Sequence, residues 1–181
     1  LCICRDITER KAAERRIRYL ATTDTLTGTS NRGEFSRRLA EEIARAHRHG
    51  RPLGLVMFDL DHFKRINDRH GHDAGDAVLR GVMEVVRQRV RLGDAIGRWG
   101  GEEFMLLLPE SALPNTLVTA ERLRAGIEAQ RFALAERVTA SFGVVVLERG
   151  EGFDALVKRA DVALYRAKSA GRNRVETVSK D

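Results

Sequence analysis

Cysteine is nearly absent from this chain of 181 residues. Only Cys2 and Cys4 occur, two positions apart on one apparent strand edge, where both side chains point the same way and do not easily bridge each other. A reducing, cytoplasmic setting is the expectation. No run approaches the roughly 18 apolar residues of a membrane span, and no charged-then-apolar leader is present, so no membrane partner is expected for this segment. Aromatic residues make up 6% of the chain, too few to form a base-stacking platform, and there is no block of like charge. Nucleic acid is therefore not expected as a partner. Internal repeats and low-complexity tracts are also missing. The chain begins at Leu1 rather than Met, and the expectation is that it is a piece of something longer.

What is present is enough for one domain with a short extension, because 43% of the residues are hydrophobic. Lys and Arg outnumber Asp and Glu by 32 to 26, giving +6, which suits an anionic partner such as a nucleotide, nucleic acid or membrane surface and reads equally as a solvated arginine-rich surface. The chain is organised around residues 96–108, Ile-Gly-Arg-Trp-Gly-Gly-Glu-Glu-Phe-Met-Leu-Leu-Leu, in which two apolar runs meet at Gly100-Gly101 and are followed by Glu102-Glu103. This pattern predicts a β-hairpin with acid at its tip, both glycines supplying positive φ angles. Adjacent glutamates on a tight turn repel each other, and a divalent cation relieves that repulsion.

In chain order, Asp6 and Glu9 suggest a helix start, and a helix is expected to about Thr22. Its apolar residues Ala13, Ile17 and Leu20 form a stripe too narrow for a core helix and suited to pairing with a second copy. Turn formers from Asp24 to Arg32 end in a capping box of Asn31 with Glu34, which marks a domain boundary. Phe35, Leu39, Ile43 and Ala46 give a helical face, and Leu53–Phe58 is a continuous apolar run, buried on both faces if central. Asp59–Asp76 is the densest polar segment. Helical spacing resumes from Val78 through Val90, returns at Leu117–Ile127 with Pro114 near the start, and returns again at Phe153–Ala167. Val138, Ala140, Phe142, Val144 and Val146 alternate as a strand. The fold class expected is α/β, an α+β sandwich with a central sheet of about five strands flanked by helices.

A carboxylate at the end of a buried strand and carboxylates on a neighbouring hairpin make a hard oxygen site, suited to Mg²⁺ or Mn²⁺. Asp59, Glu102 and Glu103 are the candidates. Two such ions activate an attacking hydroxyl and stabilise a leaving pyrophosphate in nucleotidyl transfer. Taken singly, the Asp reads equally as a helix cap and the Glu pair as a solvated turn.

Gly100-Gly101-Glu102-Glu103-Phe104 resembles the signature of the GGDEF family, the diguanylate cyclases, which condense two GTP molecules into cyclic di-GMP with release of pyrophosphate. The resemblance extends, in the family's order and spacing, over about Asp24 to Val175. Its other parts are Asp24-Thr25-Leu26-Thr27-Gly28 with Asn31-Arg32, Phe58 to Lys64, Ile66-Asn67-Asp68 with Gly71-His72, Gly75-Asp76, Ala160 to Tyr165 with Ala167-Lys168, and Gly171-Arg172-Asn173. The implied fold is similar to the palm of nucleotide cyclases and polymerases. The resemblance implies that Asp59, Glu102 and Glu103 are the catalytic acids, with Asp59 and Glu102 as metal ligands, Glu103 close by and the Leu60 carbonyl as a further ligand. Glu102 is implied to help deprotonate the attacking 3′-hydroxyl. Asn67 and Asp76 would bond guanine, since an Asp acceptor matches guanine's N1–H and amino donors where adenine offers no such pair. Lys64, Lys168 and Arg172 would meet the phosphates, with backbone N–H groups around Phe63 and Lys64 assisting at a helix start. Arg91, Asp94 and Arg122 match a product-binding inhibitory site.

Two departures stand out: Thr29 replaces the family's usual leucine, and Glu102 replaces the commoner Asp, an accepted variant. Residues 4–11 resemble the end of a PAS sensor running into a signalling helix. The division implied is residues 1–22 as sensor end and linker and 23–178 as the cyclase domain. The expected function is a diguanylate cyclase acting as a homodimer, through the N-terminal helix and facing active sites, under an upstream PAS-like sensor and with feedback by cyclic di-GMP. Two alternatives stand beside it: a catalytically silent receptor for GTP or cyclic di-GMP, and a structural or nucleic-acid-binding domain.

Overall fold

Eleven elements follow one another in the computed structural model, which describes residues 8–132 and 137–178. They are α1 (Thr8–Thr22), α2 (Arg32–His49), β1 (Leu53–Leu60), α3 (Phe63–His70), α4 (His72–Arg87), β2 (Ala95–Gly100), β3 (Glu103–Pro109), α5 (Leu113–Ala129), β4 (Ala140–Val146), α6 (Phe153–Ser169) and β5 (Val175–Thr177). The strand expected around Cys2 and Cys4 and the Asp6 cap lie outside the described residues.

The continuous apolar run becomes the central strand, buried along its whole length, in a five-stranded sheet of order β2-β3-β1-β4-β5. β1 runs antiparallel to β3 and β4, and β5 joins β4 in parallel. Alternation along β1 splits the core into two layers. Val56, Phe58 and Leu60 pack with residues of α3, α4 and α5, whereas Leu53, Leu55 and Met57 pack with α2 and α6. The expected sandwich of helices on a central sheet is what the chain forms.

Three local expectations are corrected. Asn31 Oδ1 accepts the Glu34 N–H at 3.0 Å, but the reciprocal half of the capping box is missing. The Glu34 carboxylate is held at 2.8 Å by Arg37 and Arg38 instead, and the Asn31 N–H donates to the Thr22 carbonyl at 2.9 Å. Helix α4 stops at Arg87, where the Arg89 N–H closes a tight turn onto Val86 O, so Val90 packs on the core from a loop. β4 is buried on both faces rather than one, because α6 lies directly on it. A methyl group on Gly143 would stand 2.3 Å from Leu164 N and 2.4 Å from Ala160 O, so only glycine lets the two backbones approach this closely.

Candidate active site

The sheet register seats the acids. Asp59, one residue from the end of β1, is the cross-strand partner of Glu103, the first residue of β3. Direct partners in an antiparallel pair project from the same face with Cβ atoms about 5 Å apart. On the opposite face of the sheet Phe104, Phe58 and Phe142 form a row across three strands, with ring centroids 5.4 and 5.0 Å apart. Glu102 sits on the turn, and its carbonyl accepts the N–H of Leu60, the last residue of β1, at 3.4 Å. Of the two turn glycines, Gly101 takes a positive φ, of 45°, and Gly100 does not. The ladder shifts register between Arg98 and Gly100, so Gly100 still pairs with Glu103 inside β2 and leaves Gly101-Glu102 as the turn.

Lys168, from the last turn of α6, places its Nζ 3.0 Å from Asp59 Oδ2. Asp59 is only 8% exposed. Burial pushes its carboxyl up to about 6; Lys168 opposes the rise by hydrogen bond and charge, while the charges of Glu102 and Glu103 add to it. Among the described residues no group of three His, Cys, Asp or Glu side chains converges tightly enough to hold a metal ion. The three acids expected to share an ion are thus joined by the Asp59–Glu103 pairing and the Glu102 backbone contact, with the Lys168 ammonium beside Asp59. In donor chemistry the set fits a hard cation: it offers carboxylate and carbonyl oxygen only, and it concentrates negative charge around a buried acid.

The residues expected to hold guanine lie on the other side of the β1–α3 connection. Asn67 Oδ1 is buried without a hydrogen-bond partner among the described residues. It rests against the first turn of α4, since a methyl group on Gly75 would meet it at 1.9 Å, and Asp76 is the next residue. Phe63 is buried in the core, which leaves its backbone rather than its ring for a ligand. α3 begins after His62 in a left-handed conformation, φ 56°, with no side chain capping its first N–H groups. The Arg65 N–H closes onto His62 O at 2.9 Å, which leaves the Phe63 and Lys64 N–H groups, with the exposed Lys64 side chain, as donors at the helix start. Arg172 is exposed, with φ 62°, just beyond α6.

Arg91, Asp94 and Arg122 do come together, around a cleft of about 580 Å³. Arg91 holds Asp94 by Nε to Oδ1 at 3.0 Å and by its backbone N–H to Oδ2 at 3.0 Å, and donates from Nη2 to Pro109 O at 2.5 Å. Arg122 donates to Arg89 O at 2.6 Å.

Several supporting residues carried no assigned role in the sequence. Arg98 donates to Gly101 O at 2.8 Å, on the acidic turn, and pairs with Asp24 at 3.2 Å, two residues past α1. Burial pushes the Asp24 carboxyl up, but the Thr27 hydroxyl and N–H together with Arg98 outweigh it, and the group lies below the ordinary carboxylate range. Thr27 Oγ1 in turn contacts Thr29 Oγ1 at 2.9 Å, which satisfies the hydroxyl that replaces leucine. Asp61 accepts from Ser141 at 2.6 Å, from Thr139 at 2.7 Å and from the Asn173 N–H at 3.0 Å, tying β1, β4 and the segment after α6 together. The motif contained Asp61 and Asn173, but spacing alone gave no sign that they meet.

Comparison with known proteins agrees with this geometry. A family model described as "Diguanylate cyclase, GGDEF domain" matches residues 21–174. The diguanylate cyclase DgcP of Pseudomonas aeruginosa is 49% identical over 162 residues, which cover 88% of this chain and 24% of DgcP. The crystal structure of the coiled coil and GGDEF domain of DgcB from Caulobacter crescentus, in complex with c-di-GMP, superposes with a TM-score of 0.90. It is 32% identical and covers 96% of this chain and 94% of that one. The active GGEEF domain of a diguanylate cyclase from Vibrio cholerae is 33% identical with a TM-score of 0.79, covering 83% of this chain and 98% of that domain. The chain spans less than half the length of the first curated relatives it matches, 24% and 43%. With the family model matched across β1 to β4 and the helices α2 to α6, the chain belongs to the GGDEF family.

Proposed function

We propose that this chain condenses two GTP molecules into cyclic di-GMP with release of two pyrophosphates, as a diguanylate cyclase. The observation that carries this reading is the seat of Asp59 opposite Glu103 and beside Lys168, two acids and a cation at one strand end next to the Glu102 turn. A receptor has no use for such a set. Relatives named diguanylate cyclases, DgcP and DgcM, support the same reaction.

Each domain holds one GTP. Asn67 and Asp76 take guanine, the unpartnered Asn67 Oδ1 meeting one of its donors. The first N–H groups of α3, Lys64, Lys168 and Arg172 take the phosphates. Bound Mg²⁺ or Mn²⁺, held by Asp59, Glu102, Glu103 and the Leu60 carbonyl, supplies Lewis-acid stabilisation of the charge on the α-phosphate and leaving group. Glu102 accepts the proton of the 3′-hydroxyl from the facing domain's GTP. The 3′-oxygen forms a bond to the α-phosphorus, the bond from phosphorus to the bridging oxygen breaks, and pyrophosphate leaves with the electron pair. A second, symmetric step closes the ring.

Two domains must face each other, so the homodimer is the active species, with residues 1–22, a PAS-like sensor end running into α1, setting the orientation of residues 23–178. Arg91, Asp94 and Arg122 bind the product and inhibit, a reading supported by their convergence on one cleft. No described helix is long and apolar enough to cross a membrane. GTP is a cytoplasmic substrate, and the segment works there without nucleic acid or membrane.

The test is incubation at high protein concentration with GTP and Mg²⁺ beside a Glu102→Ala control, with the product identified by mass. Cyclic di-GMP from the parent and at least 100-fold less from the control is expected. Absence of product, with cyclic di-GMP still bound, selects the receptor instead.

A further inference from the structure

A cleft of about 880 Å³ lies neither on the acids nor at the inhibitory residues but between α3 and the segment after α6. Helix α3 divides the site in two. Phe63 and Asn67 turn toward Gly75 on α4, the guanine side. Arg65, Asp68 and Arg69 project from the opposite face, as their spacing on a helix requires, and Ile66 and His70 line the cleft from its edge. Across the cleft stands Arg172, already placed among the phosphate contacts, so the cleft continues from the phosphate end of the nucleotide.

Its charge is strongly one-sided. Arg65, Arg69, Arg137 and Arg172 face two carboxylates, Asp61 and Asp68. Asp61 has both oxygens engaged by Ser141, Thr139 and the Asn173 N–H in the cleft wall. Arg137 is held by Glu128. Arg65, Arg69 and Arg172 form no ion pair among the described residues, which leaves three guanidinium groups around one cavity. The wall they project from is braced: Asn173 bonds Asp61, accepts from Arg124 at 2.9 Å and donates to Glu128 at 2.9 Å. Unpaired guanidiniums on a fixed frame recognise phosphate oxygens by forked hydrogen bonds.

We infer that this cleft is a holding site for condensed phosphate, the pyrophosphate that leaves the α-phosphorus, with Arg65 and Arg69 as ligands beyond Arg172. The inference rests on the cyclase reading for the source of its ligand, not for the binding itself. Each turnover releases a highly charged anion close to Lys168 and Asp59, and the three arginines draw it away from the acids along α3.

The experiment titrates inorganic pyrophosphate into the whole chain by calorimetry, without GTP and with EDTA present. The parent is compared with Arg65→Ala/Arg69→Ala and with a control pair on other surfaces, Arg48→Ala/Arg149→Ala. Binding to the parent, weakened at least 10-fold in the cleft variant and less than 2-fold in the control, is the expected result. Equal binding by all three, or equal weakening in both variants, overturns the inference. Thermal unfolding of each variant separates loss of a ligand from loss of fold. In the cyclase assay, the same cleft variant distinguishes two sources of the phosphate chain. Weaker inhibition by pyrophosphate with unchanged KM for GTP marks the released product, and a parallel rise in KM marks the triphosphate tail of bound GTP. If the parent binds pyrophosphate through Arg65 and Arg69 but forms no cyclic di-GMP, the cleft stands and the cyclase reading falls.

Discussion

Asp59 carries opposing demands. Its side chain is buried, and its carboxyl sits near 6 because burial and the charges of Glu102 and Glu103 outweigh Lys168. A group whose folded pKa is raised binds its proton more tightly in the folded chain, so the metal-free protein loses stability as pH rises from about 4 to 6. Above that window a charged, buried acid remains, at a cost on the order of 2 kcal/mol. Asp59→Asn therefore raises the melting temperature of the metal-free chain at pH 7.5 by a few degrees while abolishing cyclase activity. It also removes the melting-temperature gain on adding Mg²⁺. A drop in melting temperature would show instead that the Lys168 pair outweighs burial. Each acid was legible in the sequence from a local signal, a strand end for Asp59 and a hairpin tip for Glu102 and Glu103, whereas the β1–β3 pairing that brings them together was not. Lys168 beside Asp59 was not, because that contact depends on where α6 lands on the sheet, and no spacing along the chain encodes it.

At the scale of elements, the site is held by how closely two of them approach. α6 carries Lys168 and leans on β4 at Gly143, where an added methyl group would meet backbone atoms at 2.3 and 2.4 Å. Backbone on both sides leaves no flexible side chain to give way. Gly143→Ala is expected to destabilise the fold by about 3 kcal/mol, read from urea unfolding, because α6 must shift to make room. A cost under about 0.5 kcal/mol would mean that α6 is free to slide. The continuous apolar run announced β1 as the central strand, and the glycine pair announced the hairpin, since both signals are local. β5 has three half-buried residues and no pattern to read. α3 lies inside the densest polar segment, with Phe63 as its one fully buried hydrophobic residue, so no apolar stripe gives it away. The end of α4 was set by a turn at Gln88–Arg89 that helical spacing through Val90 conceals.

For the whole molecule, the question is how a helix with little contact to the domain could govern a site some elements away. α1 leaves Ile17 and Leu20 67% and 48% exposed, an apolar stripe with no partner within the chain among the described residues. Its C-terminal end is nonetheless anchored: Asn31 donates from its side chain to Ala21 O at 2.8 Å and from its backbone to Thr22 O at 2.9 Å. Two residues further on, Asp24 pairs with Arg98, which holds Gly101 on the acidic turn. A second copy pairing along Ile17 and Leu20, as proposed, would therefore fix the direction in which each domain presents its Glu102. Charge in an apolar seam opposes such pairing. Ile17→Asp/Leu20→Asp is expected to lower specific activity at least 10-fold at concentrations where the parent is dimeric, with unfolding of the residues after Thr22 unchanged. The parent's own specific activity should fall on dilution, in step with loss of dimer by light scattering. Replacing residues 8–16 with a dimeric coiled coil in the same heptad phase should restore the variant, whereas a shifted phase should not. Activity independent of concentration and untouched by the two charges would show that the facing sites assemble without α1.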